Sequence, residues 1–276
     1  MPDSALHASP LGIALGGGGA RGLCHIGVWR VLQELGVHPD VVSGTSMGGL
    51  VGAFLAAGYS ADDMEEISRS VGWRRMIDWG LSGRLLSTKR FLGWLGDHLP
   101  PTFEELELPL VLTATDIVDG QIHYLHSGDL YTAIRATTAY PGVVEPVPLG
   151  DAILVDGGIL NQIPVDGALF LGARRVIAVN ATALEPLEGP RDAEQAAARR
   201  SVTGALREAM RAIDVMQAQL SMVRVSLYRP DVFIDPRIEG VDLPDFHKAE
   251  QAIAAGEAAT WEDADRLREL VRPRPV

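Results

Sequence analysis

The chain has 276 residues, enough for one large domain or two small ones with a sizeable core. Its usage, 47% hydrophobic and 22% charged, excludes a disordered or collagen-like protein. A net charge of −12 argues against nucleic acid as a partner, because phosphate contacts need a basic footprint. The single cysteine, Cys24, excludes an internal disulfide and any cysteine-rich metal centre.

The first residues, Met1-Pro2-Asp3-Ser4-Ala5-Leu6-His7, lack a basic region followed by an apolar one, so the reading is a cytoplasmic protein. Short apolar runs then alternate with helical patterns, which predicts βα units and a mainly parallel sheet. Gly12-Ile13-Ala14-Leu15 reads as a buried strand entering a glycine run. A helix through Ile26, Trp29, Val31 and Leu32 follows and stops at Gly36. Val41 to Ala61 carries no charge and is long enough to suggest a membrane span. Its interruption by Gly44, Gly48, Gly49, Gly52 and Gly58, with Ser43, Thr45 and Ser46, fits a strand, a tight turn and a small-residue helix better. Ser60 caps the next helix, with Asp63 as its capping-box partner.

Further strands are read at Leu110 to Ala114, Gln121 to Leu125, Ile153 to Val155 and Val176 to Val179, with a helix over 129 to 138. Glu185 to Arg191 reads as a loop. A long helix between Asp192 and Leu227 places Val202, Leu206, Met210, Ile213, Leu220 and Val223 near one face, expected to pack on the core. One domain over 1–276 is expected, with a core over 11–182 and a helical extension over 192–272.

Three segments carry chemistry. Gly16-Gly17-Gly18-Gly19-Ala20-Arg21-Gly22 lies between a strand and a helix, where backbone N–H groups converge on negative charge. Gly17, Gly19 and Gly22 also satisfy a dinucleotide fingerprint, but Asp40 precedes the second strand instead of ending it. Gly44-Thr45-Ser46-Met47-Gly48 has the form of a nucleophile elbow, with a strand before and a helix after. As a bare string it also fits a strand-to-helix turn with a capping serine. Asp156-Gly157-Gly158 follows a strand, at the end of the sheet where ligand sites lie; a plain Asp-Gly turn is its alternative.

Together these segments resemble the patatin-like phospholipase family of serine lipid acyl hydrolases, in its bacterial members. The likeness extends through Thr115-Asp116, Ala133-Ile134-Arg135-Ala136 with Pro141-Gly142, and Asn161-Gln162-Ile163-Pro164, over roughly residues 11 to 182. Members usually carry Asn-Asn in place of Asn161-Gln162 and a smaller residue than Tyr140. The resemblance implies a three-layer α/β/α fold and a Ser–Asp dyad without histidine or cofactor. Ser46 is then the nucleophile and Asp156 the base. The N–H groups of Gly17, Gly18 and Gly19 form an oxyanion hole, Arg21 orders that loop, and Gly44 and Gly48 shape the elbow. The implied substrate is a lipid or simpler ester.

Residues 72–101 hold Trp73, Trp79 and Trp94 with Arg74, Arg75, Arg84, Lys89 and Arg90. They suit a cap over an acyl pocket, a face resting on the inner membrane, or a helical pair packed on the core. Cys24 reads as a small core residue, and His25, His123 and His126 as structural or surface histidines. No spacing suggests a metal site. Two other readings stay open: an α/β-hydrolase with a triad containing His247, and a nucleotide-binding or regulatory module without catalysis. For His247 the local sequence reads as a loop entering the last helix, with Asp245 as its cap.

Overall fold

In the computed structural model, which describes residues 9–71, 88–182 and 202–271, the strands form one mixed sheet. They are β1 (Leu11–Leu15), β2 (Val41–Thr45), β3 (Leu110–Asp116), β4 (Gln121–Leu125), β5 (Val147–Leu149), β6 (Ala152–Asp156), β7 (Arg175–Val179) and β8 (Val232–Ile234). The order is β5-β6-β3-β2-β1-β7-β8, with β4 also on β3. β3, β2, β1, β7 and β8 run parallel, whereas β4 and β6 are antiparallel to β3. The mainly parallel centre agrees with the alternation of strands and helices in the sequence. The three-residue strands β5 and β8 were too short to stand out there.

Side chains alternate across the central strands, which divides the core in two. Leu11, Ile13 and Leu15 of β1, with Ile177 and Val179 of β7, face the larger core. That core is roofed by α1 (Cys24–Glu34), α2 (Ser46–Ala56), α3 (Ala61–Ser70), α4 (Thr88–His98) and α5 (Leu130–Thr137). Ala14, Val176 and Ala178 face the smaller core with α6 (Val165–Phe170) and the end of α7 (Val202–Tyr228). Helices thus cover both faces, giving the three-layer α/β/α fold. The stretch 41–61 resolves into β2, a turn and α2, as its small residues required. No helix among the described residues is long and apolar enough to cross a membrane.

Local signals set several boundaries. Ser60 and Asp63 form the expected capping box on α3, with Asp63 N–H donating to Ser60 Oγ at 3.2 Å and Ser60 N–H to Asp63 Oδ2 at 3.1 Å. The C-terminal extension packs against α1. Its helix α8 (Ala249–Glu262) lies so close to α1 that a Cβ on Gly256 would stand 2.0 Å from Cys24 O. Arg30 of α1 pairs with Glu65 of α3 and Glu257 of α8, joining three helices. The last helix, α9 (Ala264–Val271), buries Leu267 in the larger core.

The long helix departs from its sequence pattern. Its expected start, 192–201, the loop 185–191 and the segment 72–87 lie outside the described residues. From Val202 to Tyr228 it forms one helix, α7. Val223, assigned to the packed face, is 64% exposed, and Val215, Met216, Met222 and Leu227 are exposed as well. The inward face is instead small and polar: Gln217, Ala218 and Ser221 are buried, and Arg224 reaches Asp166. The cause is what lies beneath, since Tyr140 donates to Asp214 Oδ1 at 2.7 Å and Arg224 donates to Asn161 Oδ1 at 3.0 Å. A helix covering polar partners turns its polar face inward.

Candidate active site

β3 brings the site together. Its Leu112 and Thr113 pair with β2 on one edge and β4 on the other. Ala114 to Asp116 pair with β6 on one edge and β4 on the other. β2 and β6 therefore share one edge of β3 and meet head-on there. Thr45, the last residue of β2, pairs with Thr113; Asp156, the last of β6, pairs with Ala114. Two strands far apart in the chain thus end beside one another. Below them Thr113 Oγ1 and Thr45 Oγ1 are 2.6 Å apart, and Thr45 donates on to Asn161 O at 2.8 Å.

Ser46 opens α2 with φ of 54°, one of two non-glycine residues with positive φ among those described. Such a conformation costs a side-chain-bearing residue about 1–2 kcal/mol, and it lifts the half-buried hydroxyl off the strand line. The elbow's glycines permit the tight turn: a Cβ on Gly48 would stand 2.3 Å from Leu15 O, and one on Gly44 2.5 Å from Gly49 Cα. Ser46 N–H donates to Thr137 Oγ1 at 2.8 Å, which fixes the elbow from α5. Nothing in the sequence had marked Thr137.

Asp156 is 2% exposed. Burial pushes its carboxyl from 3.8 up to about 6, against the opposing pull of the Ser46 hydroxyl and the Gly158 N–H. Oδ1 accepts from Gly158 N–H at 2.8 Å, whereas Oδ2 is buried without a hydrogen-bond partner. Ser46 is therefore near enough to act on the carboxylate while standing outside good hydrogen-bond geometry. The interior of the sheet end thus holds a basic carboxylate and a raised hydroxyl side by side.

The glycine run crosses directly over Ser46: a Cβ on Gly17 would lie 3.1 Å from Ser46 Cβ. One expectation needs correcting here. Gly17 N–H donates to Gln162 O at 3.0 Å, so it is already spent holding the loop. Among the described residues, the N–H groups of Gly18 and Gly19 have no protein acceptor. Buried His25 braces the loop from below, its Nε2–H donating to Gly16 O at 2.7 Å, and burial lowers its pKa to about 4, so the ring is neutral. Arg21 Nε donates to Val241 O at 2.6 Å, and Ala20 N–H donates to Leu243 O at 2.9 Å. Both contacts tie the loop to the C-terminal extension, which the motif gave no means of seeing.

Gln162 is the other residue that sequence reasoning left without a part. Its carboxamide lies between the loop and the aspartate turn, with Oε1 2.9 Å from a Cβ placed on Gly17. Nε2 donates to Thr182 Oγ1 at 2.8 Å, and Thr182 donates to Gly17 O at 3.2 Å. Asn161 Nδ2 donates to Asp166 Oδ1 at 2.8 Å, and Tyr124 and Arg224 both reach Asp166. Tyr140 is half-buried and bound to Asp214, so α7 is tied to the aspartate side of the site at two places.

Other tempting residues fall away from this centre. Cys24 is buried, and burial drives its thiol well above the usual range, which makes it inert. Asp40 Oδ2 accepts from Leu11 N–H at 2.7 Å at the opposite end of the strands, which removes it from any ribose. His247 is exposed in a turn before α8, not at a strand end. Asp245 was expected to cap that helix; it instead accepts from Asp242 N–H at 3.2 Å and Lys248 Nζ at 2.6 Å. His126 packs on Phe170. His123 lies 3.9 Å from Asp116, and with Asp119 these groups approach within 4.8 Å. Both carboxylates are spent on the hairpin: Asp116 Oδ1 accepts from Val118 and Ile153 N–H, and Asp119 Oδ1 from Gln121 N–H.

A buried Asp beside a strained elbow serine, under a glycine loop on a three-layer sheet, is the arrangement of a serine hydrolase of patatin type. The family model for patatin-like phospholipase matches residues 13–169, and the chain belongs to that family. An uncharacterised NTE-family protein of Mycobacterium tuberculosis is 37% identical over 188 residues, covering 66% of this chain and 51% of that protein. Human patatin-like phospholipase domain-containing protein 6 is 33% identical over 187 residues, covering 63% of this chain and 14% of that one. The chain thus spans about half the length of its mycobacterial relatives. The crystal structure of VipD from Legionella pneumophila shares the fold, with a TM-score of 0.61 at 15% identity, over 95% of this chain and 67% of that one.

Proposed function

We propose that this chain is a lipid acyl hydrolase that cleaves carboxylic esters of phospholipids or simpler glycerides through an acyl-serine intermediate. The observation that carries the reading is the buried Asp156 carboxylate, one oxygen without a hydrogen-bond partner, beside the positive-φ Ser46. Asp156 takes the proton of Ser46 Oγ–H as the oxygen attacks the ester carbonyl carbon. The carbonyl oxygen becomes an oxyanion held by the N–H groups of Gly18 and Gly19, a contribution of about 2.7–4 kcal/mol per donor in hydrolases of known energetics. Collapse breaks the bond to the alcohol, which leaves with the proton from Asp156. Water then attacks the acyl-serine, gives its proton to Asp156, and releases the fatty acid and a regenerated Ser46 hydroxyl.

A carboxyl pushed up to about 6 is a stronger base than an ordinary aspartate and is still ionised at neutral pH. No histidine is needed in this scheme, and His247 takes no part. The substrate class follows from the family, and contact of residues 72–101 with an anionic lipid surface belongs to the same proposal. Labelling with a fluorophosphonate and mapping the adduct tests the nucleophile. An adduct on Ser46 that is lost in Asp156→Asn supports the dyad; an adduct on another residue, or none, sinks it and favours the non-catalytic reading.

A further inference from the structure

The outward face of α7 is apolar and open to solvent. Val215, Met216, Met222, Val223 and Leu227 lie on it, between 39% and 71% exposed. Ala212, Gln219 and Ser226 are exposed with them. The stripe follows a seven-residue repeat: Ala212 with Val215 and Met216, then Gln219 with Met222 and Val223. Between Ala212 and Leu227 the charged residues are Asp214 and Arg224, and both are held inward, by Tyr140 and by Asn161 and Asp166. A chain of net charge −12 thus keeps a ~22 Å length of helix face free of charge. At ~1.45 Å² of surface per dalton of extended chain, the five apolar residues expose about 500 Å². A patch of that size is large for a lone molecule and marks a contact surface.

We infer that this face pairs with the same face of a second copy, α7 against α7, antiparallel about a two-fold axis through Gln219. The order along the stripe supports that occupant. Outward from Gln219 one direction gives Met222, Val223 and Ser226, and the other gives Met216, Val215 and Ala212. An antiparallel two-fold contact sets Met216 against Met222 of the second copy, Val215 against Val223 and Ala212 against Ser226. Residues of like size meet in each layer, so no large side chain faces a gap. Gln219 meets its own copy on the axis, where each carboxamide offers a donor and an acceptor to the other. A lone polar pair in an apolar seam fixes the register. The five apolar residues of two copies bring about 1,000 Å² to the contact, the lower bound for a specific interface. An uncharged face is also where two acidic molecules meet without repulsion. Anionic lipid, the other natural occupant of such a stripe, repels a chain of this charge.

The test is sedimentation velocity over a concentration series of the full chain, run on wild type, Met216→Glu and Val223→Glu. Wild type should pass from monomer to dimer with a micromolar Kd, in keeping with an interface of small area. Either substitution puts an unpaired carboxylate into the seam from each copy and should weaken association at least tenfold. Both positions face solvent in the single chain, so the core is untouched. Oxidation with diamide tests the axis separately. Gln219→Cys brings two thiols together and should give an intermolecular disulfide, their two hydrogens passing to diamide. Ser226→Cys, whose copies stand ~20 Å apart in this register, should not link. The native Cys24 is buried and does not compete. Wild type that stays monomeric at about 100 μM, a dimer indifferent to both charges, or linkage as fast through Ser226→Cys as through Gln219→Cys overturns the pairing. A monomer that co-sediments with phosphatidylglycerol vesicles, and no longer does so as Val223→Glu, gives the face to lipid and overturns it as well.

Discussion

Replacing Asp156 by Asn should make the protein more stable at neutral pH while removing its hydrolytic activity. The carboxyl is raised from 3.8 to about 6, chiefly by burial. The folded state therefore holds the proton more tightly than the unfolded state does. Below about pH 4 both states are protonated and burial carries no ionisation cost. As pH climbs through the window from 3.8 to 6, the unfolded chain gives up this proton while the folded protein, whose dry site disfavours the charge, still holds it, and stability falls. Above that window the full cost applies, about 3 kcal/mol at 1.36 kcal/mol per pH unit. Asn carries no charge at any pH, and its oxygen still accepts from Gly158 N–H. With an unfolding entropy of ~2.1 cal/mol/K per residue, a gain of that size raises Tm by about 5 °C. Scanning calorimetry on both proteins at pH 4, 6 and 8 checks this. The gain should be greatest at pH 8 and vanish near pH 4. A difference independent of pH, or a variant less stable than wild type at pH 8, would refute burial as the origin of the raised pKa.

Four further outcomes are expected. Ser46→Gly and Ser46→Ala should both be inactive, and chemical denaturation should show the glycine variant the more stable by about 1 kcal/mol, because only glycine adopts positive φ freely; the reverse order would mean an unstrained elbow. The kcat/KM profile on a soluble ester should lose activity with unit slope below pH 6, as Asp156 takes up its proton, and a limb near pH 4 would contradict an essential buried carboxylate. His247→Ala should keep ester hydrolysis within a few-fold of wild type, whereas Asp156→Asn should lose at least ~10²-fold; steady-state kinetics showing the opposite pattern would restore the triad. Replacing Arg74, Arg75 and Arg90 by Gln should weaken co-sedimentation with anionic vesicles, and unchanged sedimentation would remove the lipid-facing part of residues 72–101.

The elbow and the aspartate turn were legible because their residue types answer backbone demands that only a few residues meet. Gly48 has no room for a side chain against Leu15 O, and Ser46 has to tolerate positive φ. Strand positions of the parallel centre were equally open to reading, since continuous apolar runs such as Val176 to Val179 belong to strands buried on both faces. What stayed hidden depends on partners far along the chain. The inward face of α7 is chosen by Tyr140 on Asp214 and by Asn161 and Asp166 on Arg224, and periodicity reports that a face exists, not which way it turns. Gln162 and the Val241 to Leu243 segment hold the glycine loop through main-chain oxygens, which leave no trace in residue identity.

The head-on meeting of β2 and β6 along β3 has a consequence for how the site tolerates change. β3 contributes no reacting group, yet adjacent rungs of it decide the distance between the hydroxyl and the carboxylate. That distance is quantised. A slip of one residue shifts a strand by ~3.3 Å and turns its side chains to the opposite face. Intermediate spacings have no register to occupy, so damage to β3 should abolish the alignment outright instead of detuning it.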